Sequence, residues 1–237
     1  MLLFFIRHGD PNYSLNRLTP LGMRQADALA KRLARYGIDR IYSSGALRAL
    51  ETARPTCDLL HKEPIVLDWL NERYNKDFAF GETEATRYWY FAHPETRALL
   101  TSDEVMRLGK EWYKHPYFAK TTLEQGIERV QKESDALLAS LGYEHDSKNN
   151  RYFVKEPSEE RVAVFAHRGL GSAFLSCLLD IPYPLFSTHF DFTHTGMTVI
   201  EFSNDHPTTV PRVLQFNGDS HLYNEDLPTG FCNTIKY

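Results

Sequence analysis

Leu2-Leu3-Phe4-Phe5-Ile6-Arg7-His8-Gly9 is the stretch whose reading decides the fold. Apolar residues run without a break from Leu2 to Ile6, then give way to a guanidinium, an imidazole and a glycine. That is the pattern of a strand buried on both faces that ends sharply at its carboxyl end. A second stretch repeats the design: Val164-Phe165-Ala166-His167-Arg168-Gly169, preceded by Val162.

A polar loop follows the first stretch as far as Arg17. Thr19 then offers a helix N-cap and Pro20 suits the first helical position. Ala26, Leu29, Ala30 and Leu33 keep the helical period, and Gly37 marks the stop. Ile38 to Ser43 reads as a second strand. A helix is expected from about Ala46 to Leu60, with Leu47, Leu50, Ala53 and Cys57 on one face. Pro55 inside it predicts a kink or a late start. Ile65 to Leu67 is a short third strand. Beyond the second histidine a helix should reach about Leu179, and Met197–Phe202 and Val210–Phe216 read as late strands toward the sheet edge. The alternation predicts an α/β fold: a three-layer sandwich whose mostly parallel central sheet is flanked by helices.

Between these halves, about 81–142 reads largely helical, with breaks near Pro94, Ser102 and Pro116. The expectation is a single α/β domain over 1–237 carrying a helical cap insertion over the carboxyl ends of the strands. Its final helix, about Thr122 to Leu141, returns to the sheet. Tyr143–Val154, with Lys148-Asn149-Asn150 at its centre, reads as a hairpin. Aromatic residues are 13% of the chain and gather in the insertion as Tyr88-Trp89-Tyr90-Phe91 with Trp112, Tyr113, Tyr117 and Phe118. Most should be subdomain core, with one or two rings facing a site and Arg87 or Arg97 available to a second anion.

With 237 residues and 42% hydrophobic content, the chain can bury one large core. A net charge of -4 provides no basic field for nucleic acid. Cys57, Cys177 and Cys232 are odd in number and widely spaced, which argues against a disulfide framework and fits a reducing compartment. The apolar start stops at Arg7 with no basic residue before it, unlike a signal peptide. No apolar run approaches the roughly 18 residues of a membrane span. The expectation is a soluble, cytoplasmic protein without membrane or nucleic-acid partners.

In open α/β sheets ligands collect beyond the carboxyl ends of the strands, which is where both histidines fall. A neutral imidazole nitrogen can attack phosphorus without first losing a proton. The transferred group spreads charge over its oxygens and needs fixed cations and donors around it. Arg7 adjoins His8, Arg48 lies in the first turn of the second helix, and His167 as an imidazolium would be a further donor. Glu72, just past the third strand, is placed to protonate a leaving oxygen. His189, Asp191 and His194 share one segment, but one such loop without a second donor cluster is a poor metal site, so no metal is expected.

The ordered set of motifs resembles the histidine phosphatase superfamily, the phosphoglycerate-mutase-like enzymes. It comprises Arg7-His8-Gly9, Leu18-Thr19-Pro20-Leu21-Gly22 with Gln25-Ala26, and Ser43-Ser44 with Arg48 and Thr52-Ala53. Leu70-Asn71-Glu72, Ala166-His167-Arg168-Gly169 and Asn217-Gly218-Asp219-Ser220-His221-Leu222 complete it. The resemblance implies His8 as the phosphorylated residue, with Arg7, Arg48 and His167 forming the phosphate pocket. It implies Glu72 as proton donor and later base, and no metal or other cofactor. Three departures accompany it. The family's usual asparagine six residues after the nucleophile is Ser14 here, with Asn12 and Asn16 nearby, so Ser14 and Asn16 are the candidate phosphate contacts on that loop. Arg168 follows the second histidine where a small residue is usual, and is a candidate substrate-anion contact. The mutase-specific proline-rich stretch is not recognisable. The expected activity is therefore hydrolysis of a small phosphorylated metabolite. Phosphoglycerate-mutase-type transfer, a catalytically silent phospho-ligand binder and a metal-dependent phosphatase using the His189 segment are the alternatives. The sequence leaves substrate and oligomeric state open, a homodimer included.

Overall fold

The computed structural model describes residues 1–72, 94–118 and 121–231. Arg87 and the run Tyr88-Trp89-Tyr90-Phe91 lie outside the described residues. In chain order the first half holds β1 (Leu2–Arg7), a small ladder of β2 (Pro11–Asn12) and β3 (Arg17–Leu18), and α1 (Pro20–Tyr36). It continues with β4 (Arg40–Ser43), α2 (Leu47–Leu60) and β5 (Ile65–Val66). The middle holds α3 (Pro94–Leu100), α4 (Asp103–Met106) and α5 (Leu123–Ser140). Then come β6 (Tyr143–Asp146), β7 (Arg151–Val154), β8 (Arg161–Ala166), α6 (Arg168–Leu179), α7 (Tyr183–His189), β9 (Met197–Glu201), β10 (Thr208–Thr209), β11 (Arg212–Gly218) and α8 (Ser220–Asn224).

The main sheet has the order β11-β9-β1-β8-β4-β5. β1, β8, β4 and β5 are mutually parallel, while β9 runs antiparallel to β1 and β11 antiparallel to β9. The continuous apolar run of β1 is explained by burial on both faces. Leu3 and Phe5 join one apolar cluster with Leu138 of α5 and Phe174 of α6, and Phe4 and Ile6 join another with Leu29 of α1 and Ala53 of α2. Two helical layers around one sheet give the expected three-layer sandwich.

Thr19 caps α1 by accepting the Gly22 N–H, Pro20 occupies its first turn, and Gly37 closes it in the left-handed region at φ 70°. α2 runs unbroken through Pro55, against the expectation of a kink or late start. Buried Ala49, Ala53, Thr56 and Cys57 anchor the turns on both sides of the proline, and that packing outweighs the missing hydrogen bond. The Tyr143–Val154 hairpin forms, with β10 added to it as a third strand. Among the described residues no helix is long and apolar enough to cross a membrane.

Helices α3 and α4 and two 3-10 segments (Gly109–Lys114, Pro116–Phe118) lie between β5 and α5. Trp112 and Phe118 are buried, and Trp112 stacks on Tyr183 of α7 at 5.3 Å. These two rings are therefore core, while Tyr117 is exposed. Arg97 donates to the Thr188 carbonyl at 2.8 Å, tying α3 to α7. α5 shares the apolar cluster of α6 and of one sheet face, so it belongs to the sandwich layer.

A charged network joins these parts. His145 of β6 lies between Asp135 of α5 (2.9 Å) and Asp180 at the end of α6 (3.0 Å), and Lys110 reaches Asp180 at 2.7 Å. Burial alone would lower the His145 pKa, but the Asp135 and then Asp180 hydrogen bonds outweigh it and raise it to about 9. Its stabilising contribution is complete below the unfolded value near 6.5 and is lost as pH rises through about 9. A His145→Gln variant should melt several degrees below the wild type at about pH 6, and the gap should shrink by about pH 10. A gap that stays constant across that range would mean His145 is not charged in the folded protein.

Candidate active site

Strand register assembles the site. Arg7 lies opposite Ala166 in the parallel β1–β8 ladder, and the His8 N–H donates to the Ala166 carbonyl at 3.0 Å. The two residues that follow these strand ends, His8 and His167, therefore sit side by side, their ring centroids 5.2 Å apart. Both are buried, at 1% and 0% exposure.

The loop after β1 is held from two sides. The Gly9 N–H donates to Thr52 Oγ1 (3.0 Å), whose hydroxyl donates to the Arg48 carbonyl (2.7 Å). The Asp10 N–H donates to Gln25 Oε1 (2.8 Å), and Thr19 donates to the Asp10 carboxylate (2.5 Å). A Cβ on Gly9 would stand 2.8 Å from the Gly22 carbonyl oxygen, and one on Gly22 would stand 2.2 Å from that of Asp10. Only glycine permits this approach of loop to helix.

His8 Nδ1 is 2.7 Å from the Gly9 carbonyl oxygen. A carbonyl can only accept, so Nδ1 carries the proton and Nε2 keeps its lone pair. His167 Nε2 is 2.8 Å from Ser44 Oγ, which already accepts the Ala46 N–H at 3.2 Å. The Ser44 hydroxyl proton can then go to Nε2, and in that arrangement the proton of neutral His167 sits on Nδ1. That Nδ1 is buried with no hydrogen-bond partner among the described residues, as is Arg7 Nε. Burial, then the neighbouring His167, Arg7 and Arg48, hold the His8 pKa well below its usual value. Burial, then Arg48 and Arg7, do the same for His167. Burial, then the two arginines, thus disfavour the imidazolium expected for His167 and favour the neutral ring.

Arg7 and Arg48 are 4% and 7% exposed. Arg48 donates to Asn16 Oδ1 (2.5 Å) and to Glu72 Oε2 (3.4 Å), and its backbone N–H donates to the Asn16 carbonyl (2.9 Å). Asn16 adopts φ 53°, a left-handed conformation that asparagine tolerates. Asn16 is thus gathered in through Arg48. Ser14 is exposed and donates to Asn12 Oδ1 at 2.7 Å, so its hydroxyl is engaged within its own loop. Glu51 pairs with Arg17 at 2.6 Å.

Glu72 follows a 3-10 turn (Asp68–Leu70) whose Trp69 and Leu70 are buried. Its Oε1 accepts the Gly169 N–H in the first turn of α6 at 3.0 Å, a position where the helix terminus favours a carboxylate. Arg168 forms a bidentate pair with Asp191 at 2.5 and 2.8 Å. His189 ends α7 on the surface, Asp191 holds Arg168, and His194 holds Arg7. Among the described residues no group of three or more His, Cys, Asp or Glu could hold a metal ion.

Sequence reasoning missed His194 as a member of this site. Its ring centroid lies 5.9 Å from that of His8, and its Nε2 is 2.8 Å from an Arg7 nitrogen. The signal was its position three residues before a strand that, if paired with β1, would bring it to the end of β1.

A family model described as the histidine phosphatase superfamily (branch 1) matches residues 3–213. The chain is 27% identical over 220 residues to "Putative phosphoserine phosphatase 2" of Hydrogenobacter thermophilus, covering 88% of this chain and 93% of that protein. Two solved structures share the fold at 22% identity. A phosphoserine phosphatase from Entamoeba histolytica in complex with phosphoserine has a TM-score of 0.59, covering 93% of this chain and 98% of its own. A mycobacterial glucosyl-3-phosphoglycerate phosphatase complexed with VO3 has a TM-score of 0.61, with 91% and 98% coverage.

The imidazole states are open to measurement. In ¹⁵N NMR at about pH 5.5, where an ordinary histidine is mostly charged, His8 and His167 should both read as neutral Nδ1–H tautomers. A charged ring at either position, or an Nε2–H tautomer of His8, would contradict this arrangement.

Proposed function

The chain belongs to the histidine phosphatase superfamily, and on that premise we propose that it hydrolyses a small phosphorylated metabolite through a phosphohistidine intermediate on His8. The observation that carries this reading is the set of unpartnered groups around His8. A nucleophilic Nε2 stands beside two buried donors, Arg7 Nε and His167 Nδ1, that lack hydrogen bonds among the described residues. Leaving a buried donor unpaired costs about 1–3 kcal/mol, a cost that a phosphoryl group's oxygens would remove.

In the first step His8 Nε2 forms a bond to phosphorus as the bond from phosphorus to the ester oxygen breaks. Glu72, in its acid form, gives its proton to the departing oxygen. Arg7, Arg48 and the His167 Nδ1–H stabilise the charge on the three spectator oxygens. In the second step water attacks phosphorus and yields a proton to the Glu72 carboxylate, the N–P bond breaks, and orthophosphate leaves with His8 restored. The Gly169 N–H and Arg48 orient Glu72 for both tasks. Two buried arginines supply the charge that a metal would otherwise provide, so the reaction is metal-independent in this reading.

Phosphoserine and glucosyl-3-phosphoglycerate, named for the similar proteins, support a small phosphorylated substrate. The insertion at about 81–142 is the cap of the single domain in this reading, and Arg168 with Asp191 is the polar contact on the substrate side.

His8→Ala should abolish turnover of an aryl phosphate. Glu72→Gln should slow turnover by about 10²–10⁴-fold while inorganic phosphate still competes for the site. EDTA should leave wild-type activity unchanged. Full activity of His8→Ala would refute the nucleophile, and loss of activity in EDTA would refute the metal-free reading.

A further inference from the structure

We propose that His194 is a positioning residue for the reaction: as a hydrogen-bond acceptor held by its own strained turn, it fixes the guanidinium of Arg7 against the phosphoryl group. The inference rests on the phosphatase reading above and extends it to a residue outside the motif set.

The geometry begins at Arg7. One terminal nitrogen donates to the Phe192 carbonyl oxygen at 2.5 Å, and the other lies 2.8 Å from His194 Nε2. An arginine has no acceptor, so His194 Nε2 must supply the lone pair and the ring proton must sit on Nδ1. Nδ1 faces the Asp10 carboxylate at 3.6 Å, across the same loop that Gln25 and Thr19 hold. Two acceptors on one short segment, Phe192 O and His194 Nε2, thus set the plane of the Arg7 fork. Its Nε stays without a hydrogen bond among the described residues.

The segment that carries His194 is over-determined. Thr195 adopts φ 56°, a left-handed conformation costly for a β-branched residue. Its N–H donates to the Arg7 carbonyl (3.1 Å), its hydroxyl donates to the His194 carbonyl (2.7 Å), and it therefore accepts from His221 Nε2 (2.9 Å). Asn217 accepts the Thr193 N–H at 2.8 Å. The late Asn217–Leu222 motif, which begins in the last residues of β11, therefore braces the turn from which His194 projects.

Only a neutral His194 can do this. The charged groups around it are Arg7 from β1, Asp10 from the following loop, Arg168 from α6 and Asp191 from its own segment, with His8 at 5.9 Å. Burial, then Arg7, lower its pKa to about 4, with Asp10 opposing. Protonation would place N–H against N–H at Arg7 and release the guanidinium. His194 is thus an acceptor at neutral pH and contributes one titration to the acid limb of kcat/KM.

The test compares wild type, His194→Gln and His194→Ala with an aryl phosphate. At about pH 7, His194→Ala should lose about 10–100-fold in kcat/KM, mainly in kcat, while the Gln variant, which retains a non-titrating acceptor, stays within about tenfold of wild type. Between about pH 7 and pH 3.5 the activity of His194→Gln relative to wild type should rise several-fold, because one group has left the acid limb. Substrate ionisation is common to all three proteins and cancels. ¹⁵N NMR of the wild type at about pH 7 should show His194 as the Nδ1–H tautomer. An Nε2–H tautomer, or a Gln variant with the wild-type acid limb and no advantage over Ala, would overturn the inference. A wild type that turns over no phosphate ester would instead overturn the functional reading, and the tautomer result would still decide the geometry.

Discussion

The parallel ladder between β1 and β8 sets Arg7 opposite Ala166, and everything at the site follows from that register. Side chains alternate between the faces of a sheet, so a slip of one residue would exchange the two apolar clusters that bury Phe5 and Ile6. The register is therefore enforced by packing on both faces. At the strand ends it leaves two imidazoles 5.2 Å apart, each already committed through one nitrogen to a fixed protein partner.

Electrostatics then distributes the roles. Two buried arginines beside two buried imidazoles would be untenable if all four carried charge. The structure resolves this by keeping both rings neutral and letting Arg48 meet Asn16 and Glu72 while Arg7 meets Phe192 and His194. A neutral imidazole is what a nucleophile needs, and two fixed guanidinium groups are what a phosphoryl dianion needs. The repulsion that would oppose a second positive charge thus keeps His8 in the neutral state that the proposed attack requires.

Much of this was legible in the sequence because the relevant signals are local. Buried strands read as unbroken apolar runs, the cap of α1 read from Thr19-Pro20, and each histidine sat directly after such a run. Glu72 was placed because it follows a short apolar strand at the spacing the resemblance implies; the 3-10 turn with buried Trp69 and Leu70 that fixes it is seen only in the structure. What stayed hidden depends on pairing between distant segments. His194 enters the site only because β9 pairs with β1, and Asn16 only because Arg48 reaches back to it. His167 was expected to be charged because the sequence shows neither how deeply the ring is buried nor that Arg48 and Arg7 are brought beside it. Pro55 was overweighted because local propensity cannot register the packing of Ala49, Ala53 and Cys57 around it.

The central claim is that His8 Nε2 takes the phosphoryl group. Rapid mixing with a ³²P-labelled phosphate ester, alkaline quench and peptide mapping tests it most directly. The account predicts an acid-labile, base-stable label on His8, attached at Nε2, that is absent from His8→Ala and accumulates when Glu72→Gln slows the second step. A label on His167 or His194, or turnover without any labelled histidine, would contradict it.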